Sequence, residues 1–336
     1  DPGVDEIMVN GAGTVYIERD GLVQSSPARF TDEEHLRRTI DRIVARVGRR
    51  IDEASPMVDA RLLDGSRVNA VVPPIAIDGT TLTIRKFNRR ALSMDDLIGL
   101  GCLSREAAGL LAMCVVGRLN ILVSGGTGSG KTTLLGALSS FVPEDERIIT
   151  IEDAAELQLD HQHLVRLESR PPTVSGAGAV EIRDLLRNAL RMRPDRIIVG
   201  EVRDGAALDM LAAMNTGHDG SLGTVHASSV RDAVRRIETM VLIAGLELPI
   251  RAVRDQIGSG IDLIVHMARQ KDGARRIVDI AEVVGMEGEV VTLQSLFRVD
   301  PDSTDSSTLL ATGFEPRFWP RIAHLAPQWL PSNQVR

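Results

Sequence analysis

Hydrophobic and polar positions follow one rhythm up to residue 85 of this 336-residue chain and another from residue 96. In the first stretch, Ile7 to Val9 and Val15 to Glu18 are short apolar runs around a Gly-rich turn, the pattern of paired strands. Thr31 followed by Glu34 predicts a capping box, in which each side chain satisfies a backbone N–H at the start of a helix. That helix carries Leu36, Ile40, Ile43, Val44 and Val47 on one stripe and stops at Gly48. Val68 to Val72, a Pro73-Pro74 break and a hairpin turning at Asp78-Gly79 lead into a returning strand, Thr81 to Arg85. Residues 1–85 therefore read as a small α+β domain. The polar run Lys86-Phe87-Asn88-Arg89-Arg90 opens a linker placed at 86–95.

From residue 96 apolar strands alternate with amphipathic helices, which predicts an α/β domain with a parallel sheet over 96–298. Helix Ser104 to Gly117 precedes strand Asn120 to Val123. Further strands are expected at Arg147 to Ile151, Leu164 to Leu167, Arg196 to Val199 and Ser221 to Val225. A second Asp-Gly turn, Asp272-Gly273, joins Ile261 to Met267 with Arg275 to Val284. The longest apolar run, Ala107 to Val116, is too short to span a bilayer. Residues 299–336 read as a tail, with 299–312 mobile and prolines punctuating the end. There is no repeat of solenoid type.

Composition narrows the function. A net charge of −7 and 3% aromatic residues disfavour a basic, stacking surface for single-stranded nucleic acid. Cys102 and Cys114 are too few for a disulfide framework or a four-cysteine zinc site, and their apolar neighbours read as core. A reducing cytoplasm suits them. The chain begins Asp-Pro-Gly rather than Met, so the native start is expected upstream. Of 39 basic residues only Lys86, Lys131 and Lys271 are lysines, and one of them closes a glycine loop. A compact ammonium on a flexible stem suits that position better than a planar guanidinium.

That loop is Gly125-Gly126-Thr127-Gly128-Ser129-Gly130-Lys131-Thr132, a full match to the phosphate-binding G-x-x-x-x-G-K-[ST] pattern. An apolar strand precedes it and a helix opening Thr132-Thr133-Leu134 follows. Glycines let backbone N–H groups curl around phosphate oxygens, and the helix N-terminus adds its positive end. Lys131 is expected on the β and γ phosphates of ATP, and the Thr132 hydroxyl on Mg²⁺. The dinucleotide fingerprint fails, because Lys131 stands where its third glycine belongs.

Three other segments carry candidate chemistry. Arg196 to Val199 is an apolar strand followed by Gly200-Glu201, whose carboxylate would emerge at the sheet edge to hold Mg²⁺ or position water. Ile148-Ile149-Thr150-Ile151-Glu152-Asp153, with Glu156 behind it, supplies carboxylates able to deprotonate a water. The same acids also fit a solvated loop, or Asp153 as a helix cap. His218 and His226 bracket a strand; His226 fits either a phosphate or Glu201 ligand or a satisfied core histidine, and zinc-ligand spacing is lacking.

In order and spacing these blocks resemble the type II/IV secretion traffic ATPases, and within them the Tad/Flp pilus assembly ATPases of CpaF type. The finer likeness rests on Asp5 to Gly11, Thr83 to Phe87, Leu190 to Arg203 and Thr312 to Phe318. The resemblance implies a RecA-like P-loop domain behind a small N-terminal domain, assembled as a homohexamer that hydrolyses ATP. It implies Glu152 as the water-activating base, Glu201 on the Mg²⁺ side and His226 in a segment coupling nucleotide state to ring geometry. Arg67 and Arg85 would reach the phosphates of an adjacent site. The implied partner is an inner-membrane platform protein, placing the motor in the cytoplasm against the membrane. The four-cysteine zinc module of many relatives is absent. The alternatives are a RecA-like nucleic-acid translocase, which the acidity and scarce aromatics oppose, and a scaffold that binds nucleotide without turnover, which Lys131, Glu152 and Glu201 oppose.

Overall fold

The computed structural model describes residues 1, 3–19, 21–87, 91–170, 178–245, 248–270, 272–299 and 309–325, in two compact units that divide after Arg90. In the first unit the elements are β1 (Glu6–Asn10), β2 (Val15–Arg19), β3 (Leu22–Ser25), α1 (Glu33–Ala45), β4 (Met57–Arg61), β5 (Arg67–Val71) and β6 (Thr81–Arg85). They form an antiparallel sheet of order β3-β2-β1-β6-β5-β4. The apolar stripe of α1 (Leu36, Ile40, Val44) is buried against Val9, Val58, Val68 and Leu82. The helix is capped by Asp32, whose carboxylate accepts from His35 N at 2.7 Å, rather than by the expected Thr31–Glu34 box. An aspartate one residue later is a competent cap; Glu33, next to it, accepts from Ala12 N and Thr80 N.

The second unit contains α2 (Met94–Gly99), α3 (Arg105–Val116), β7 (Ile121–Gly125), α4 (Lys131–Ser139), β8 (Ile148–Glu152), β9 (Leu164–Glu168), α5 (Ile182–Ala189) and β10 (Arg196–Val199). It continues through α6 (Ala206–Asn215), β11 (Leu222–His226), α7 (Val230–Ile243), α8 (Ile250–Gly260), β12 (Leu263–Arg269), β13 (Arg275–Glu287), β14 (Val290–Val299), β15 (Leu309–Ala311) and α9 (Trp319–Ile322). The sheet order is β15-β14-β13-β12-β7-β11-β10-β8-β9. From β12 to β9 all pairs are parallel; β13, β14 and β15 extend the sheet antiparallel. The second unit is an α/β, RecA-like P-loop fold, and the first is a small α+β unit.

Alternation along each strand sorts residues to two cores. Ile121, Val123, Ile198 and Val265 join α3 and α4 on one face, while Leu122, Ile197, Val199 and Ile264 join α5 to α8 on the other. Strands buried on both faces read as unbroken apolar runs, which is why the sequence announced them. The expected 299–336 tail needs correction in part. β15 pairs with β14, and Phe318 and Ile322 are buried in the α3–α4 core. Residues 300–308 and 326–336, and Asn88, Arg89 and Arg90 of the expected linker, lie outside the described residues.

One buried side chain fixes the entry to β7. Asn120 Nδ2 donates to Met214 O and Gly260 O, and its Oδ1 accepts from Gly220 N and Ser221 N. It thereby joins the start of β7 to the segments before β11 and β12. Asn120→Ala strands four buried backbone groups, so a loss of about 3 kcal/mol is expected, seen as a lower midpoint in urea unfolding.

Candidate nucleotide site

β7 is the fulcrum of the parallel sheet, because both of its neighbours, β11 and β12, come later in the chain. Helix α4, which follows β7, leads instead to β8 three places away. Such a reversal of strand order opens a crevice at the carboxyl ends of the strands. Four candidate segments end at that edge: the glycine loop after β7, His226 at the end of β11, Glu201 two residues beyond β10 and Glu152 at the end of β8. Three strand spacings separate β7 from β8, about 14 Å. Glu152 thus faces the loop across β11 and β10.

The loop is shaped for an anion. Gly125 lies so close to β12 that an added Cβ would sit 2.5 Å from Met267 O and from Ser129 Oγ. Gly130, at φ 95°, is the N-cap of α4 and gives that helix no side-chain cap. The first-turn amides of Lys131, Thr132 and Thr133 therefore point their donors out of the helix end without a capping oxygen. Ser129 Oγ and Lys131 Nζ each donate to Gly126 O at 2.9 Å, closing the loop on itself. Half-burial lowers the Lys131 ammonium below its ordinary value, opposed by the Glu201 carboxylate and assisted by Arg203. An uncapped helix end, a glycine loop and a lysine already destabilised as a cation together fit a phosphate chain. The oxygen donors beside them, Thr132 and Glu201, fit Mg²⁺.

The acids are held in place by specific contacts. Glu152 is 2% exposed. Its Oε2 accepts from Glu156 N at 2.8 Å and Leu157 N at 2.9 Å, which ties the following loop to the strand end. Its Oε1 is buried with no hydrogen-bond partner. Burial raises the carboxyl above the usual range, while the Leu157 and Glu156 amides hold the shift back. Room for it requires Gly200, where a Cβ would come within 2.8 Å of Glu152 Cγ. Glu201 is paired with Arg203, and the same guanidinium reaches Asp153 at 3.0 Å. Arg203 thus links the ends of β10 and β8, a role the sequence pattern did not single out.

His226 is exposed and in register with Gly125. It lines a cavity of about 390 Å³ with Gly126, Thr127, Ser129, Asp232, Arg236 and His266. No His226–Glu201 hydrogen bond is present among the described residues. His218 precedes β11 and lies at the opposite edge of the sheet, away from the loop. His266 on β12 was not anticipated: its Nδ1 lies 2.9 Å from Ser124 Oγ, and burial lowers its pKa. Arg67 and Arg85 belong to the first unit, directly opposite each other on β5 and β6, with Arg61 opposite Arg67 on β4.

The chain matches the family described as type II/IV secretion system protein over residues 1–302, and it belongs to that family. It is 40% identical over 314 residues to a putative conjugal transfer protein of Mycobacterium tuberculosis, covering 92% of this chain and 88% of that protein. Against the type IV secretion system protein PtlH of Bordetella pertussis it is 36% identical over 307 residues, covering 82% and 89%. Among solved structures, the pilus retraction motor PilT with bound ADP is similar at TM-score 0.58 and 21% identity, over 97% of this chain and 85% of that one. The Yersinia pseudotuberculosis ATPase DotB is similar at TM-score 0.60 and 16% identity, over 84% and 76%. At those identities the two structures bear on the fold alone.

The Glu152 environment gives a signed expectation. A carboxyl whose folded pKa is raised above its unfolded value contributes stability below the unfolded pKa and loses it as pH rises through the folded pKa. Glu152→Gln should therefore gain melting temperature relative to the native chain as pH goes from 4.5 to 8, read by scanning fluorimetry. A difference that does not change with pH would contradict the assignment.

Proposed function

We propose that this chain is an ATP-hydrolysing motor subunit of the secretion and pilus class, working as a homohexamer in Tad/Flp-type pilus assembly or protein secretion. The observation that carries the reading is the convergence of glycine loop, Glu152, Glu201 and His226 at one edge of one parallel sheet. Family membership supports the class. The motifs shared with CpaF-type proteins support the Tad/Flp branch.

In this reading the amides of Gly126 to Thr133 and the Lys131 ammonium bind the triphosphate of ATP. Mg²⁺, held by the Thr132 hydroxyl and through water by Glu201, would neutralise charge on the β and γ phosphate oxygens. Glu152 takes the proton of the attacking water on Oε1, the oxygen that its loop amides leave unbonded. Its raised pKa brings it closer to the working pH of a general base. Arg203 holds Glu201 in position. His226 reports the state of the phosphate end to the loop that begins α7. Arg67 and Arg85 of a neighbouring subunit stabilise the charge that develops in transfer, which makes turnover depend on assembly. Ring movements driven by turnover do the mechanical work.

No helix among the described residues is long and apolar enough to cross a membrane. From the resemblance to the secretion ATPases, the motor is proposed to act from the cytoplasm, docked on an inner-membrane platform protein. A nucleic-acid translocase is the weaker reading, for the compositional reasons given above.

ATPase activity measured against protein concentration, with mass determined in parallel, tests this. Turnover should rise as the ring forms, and Lys131→Ala and Glu152→Gln should each lose at least about 100-fold. Arg85→Ala should retain ATP binding while losing turnover. Full-rate hydrolysis by a monomer would contradict the shared site, and several-fold stimulation by DNA would favour the translocase.

A further inference from the structure

The hairpin formed by β12 and β13 lies against the outer wall of the glycine loop. β12 pairs directly with β7, Met267 opposite Gly125, and β13 returns beside β12 after the turn at Asp272-Gly273. The first residue of β13, Arg275, donates from Nε to Gly128 O at 3.0 Å. Its stem runs along the loop, with Cδ 3.5 Å from the position a Cβ would take on Gly130. The guanidinium is therefore held against the loop at Gly128 by one of its five N–H groups.

The other four are the informative part. Among the described residues no carboxylate pairs with Arg275, whereas its neighbour Arg276 is bonded to Asp272 at 3.0 Å. Alternation along β13 sends these two arginines in opposite directions, one to an acid and one to the glycine loop. The backbone of Arg275 is held as well. Its carbonyl accepts from Cys102 Sγ at 2.7 Å, and Ile277 N donates to Cys102 O at 2.9 Å. Burial raises the Cys102 thiol pKa, so it stays protonated and able to donate. A guanidinium presents a rigid fork matched to phosphate oxygens and keeps its charge at every working pH.

We infer that Arg275 is a second cation of the nucleotide site, supplied by the same chain as the loop, whose free N–H groups bind the phosphates of the nucleotide across the loop from Lys131. The inference rests on the reading that the loop binds nucleoside triphosphate. It differs from the proposed roles of Arg67 and Arg85 in needing no neighbouring subunit. Arg275 therefore contributes to nucleotide affinity in the isolated chain.

Arg275→Gln keeps an N–H donor within reach of Gly128 O and removes the charge, so it separates phosphate binding from support of the loop. The test is equilibrium binding of ATP, ADP and adenosine with Mg²⁺, at two salt concentrations, to native, Arg275→Gln and Arg275→Lys chains. The expected result is a loss of about tenfold in ATP and ADP affinity for the glutamine variant, partial recovery with lysine, and unchanged adenosine binding. The salt dependence of ATP binding should also be shallower without the charge. Melting without nucleotide should be unchanged, because the side chain is exposed. Native-like ATP affinity and salt dependence in Arg275→Gln would overturn the inference while leaving the nucleotide site standing. Equal weakening of all three ligands together with a lower melting temperature would overturn it in favour of a purely structural contact. A native chain that binds no nucleotide would overturn both this and the proposed function.

Discussion

Backbone N–H groups with no intramolecular acceptor are the constraint around which the second unit is built. Gly130 supplies no capping oxygen to α4, so the first turn of that helix keeps its donors and its positive end facing the crevice. A protein tolerates such an end when an anion from outside completes it. Every close contact of the loop serves to hold the donors aimed. β12 presses on Gly125, Ser129 and Lys131 tie back to Gly126, and Arg275 reaches Gly128 from the outside.

The sheet then decides what else can take part. Parallel strands present all their carboxyl ends on one edge, so residues far apart in sequence meet there without special arrangement. Glu152 comes from β8, three places from the loop strand, and Glu201 from just beyond β10, one of the two strands between. Arg203 connects the two ends by binding Glu201 and Asp153. Glu152 is the costly member, a buried carboxyl with one unpartnered oxygen. Its cost is offset in part by the two amides it collects, and Gly200 leaves the space it needs.

Much of this was legible because it was local. The glycine loop is a contiguous string, and the two-face burial of β7, β8, β10 and β11 writes itself as apolar runs. The elements that escaped are those whose cause lies elsewhere. β3 is exposed at every position, β4 is an edge strand, and β14 and β15 alternate weakly, so none has a clear apolar signature. The cap of α1 moved from Thr31 to Asp32, whose carboxylate accepts from His35 N, because both residue types cap and the apolar stripe does not choose between adjacent starts. His266 meets Ser124 of β7, and Arg275 meets the loop, across more than 140 residues, through strand pairing that only the folded sheet supplies. Arg203 stood inside a recognised motif, yet its pairing with Asp153 joins two segments that the sequence treats as separate.

Amide hydrogen exchange with and without Mg·ADP tests the central claim most directly, since it reads the backbone donors themselves. The account requires slower exchange across 126–134, with lesser protection at 152–157, 200–203 and 226–229 at the same edge of the sheet. The opposite edge, at 118–120 and 217–221, should be unaffected. Protection absent from 126–134, or centred on that opposite edge, would contradict the assignment of this loop as the phosphate site.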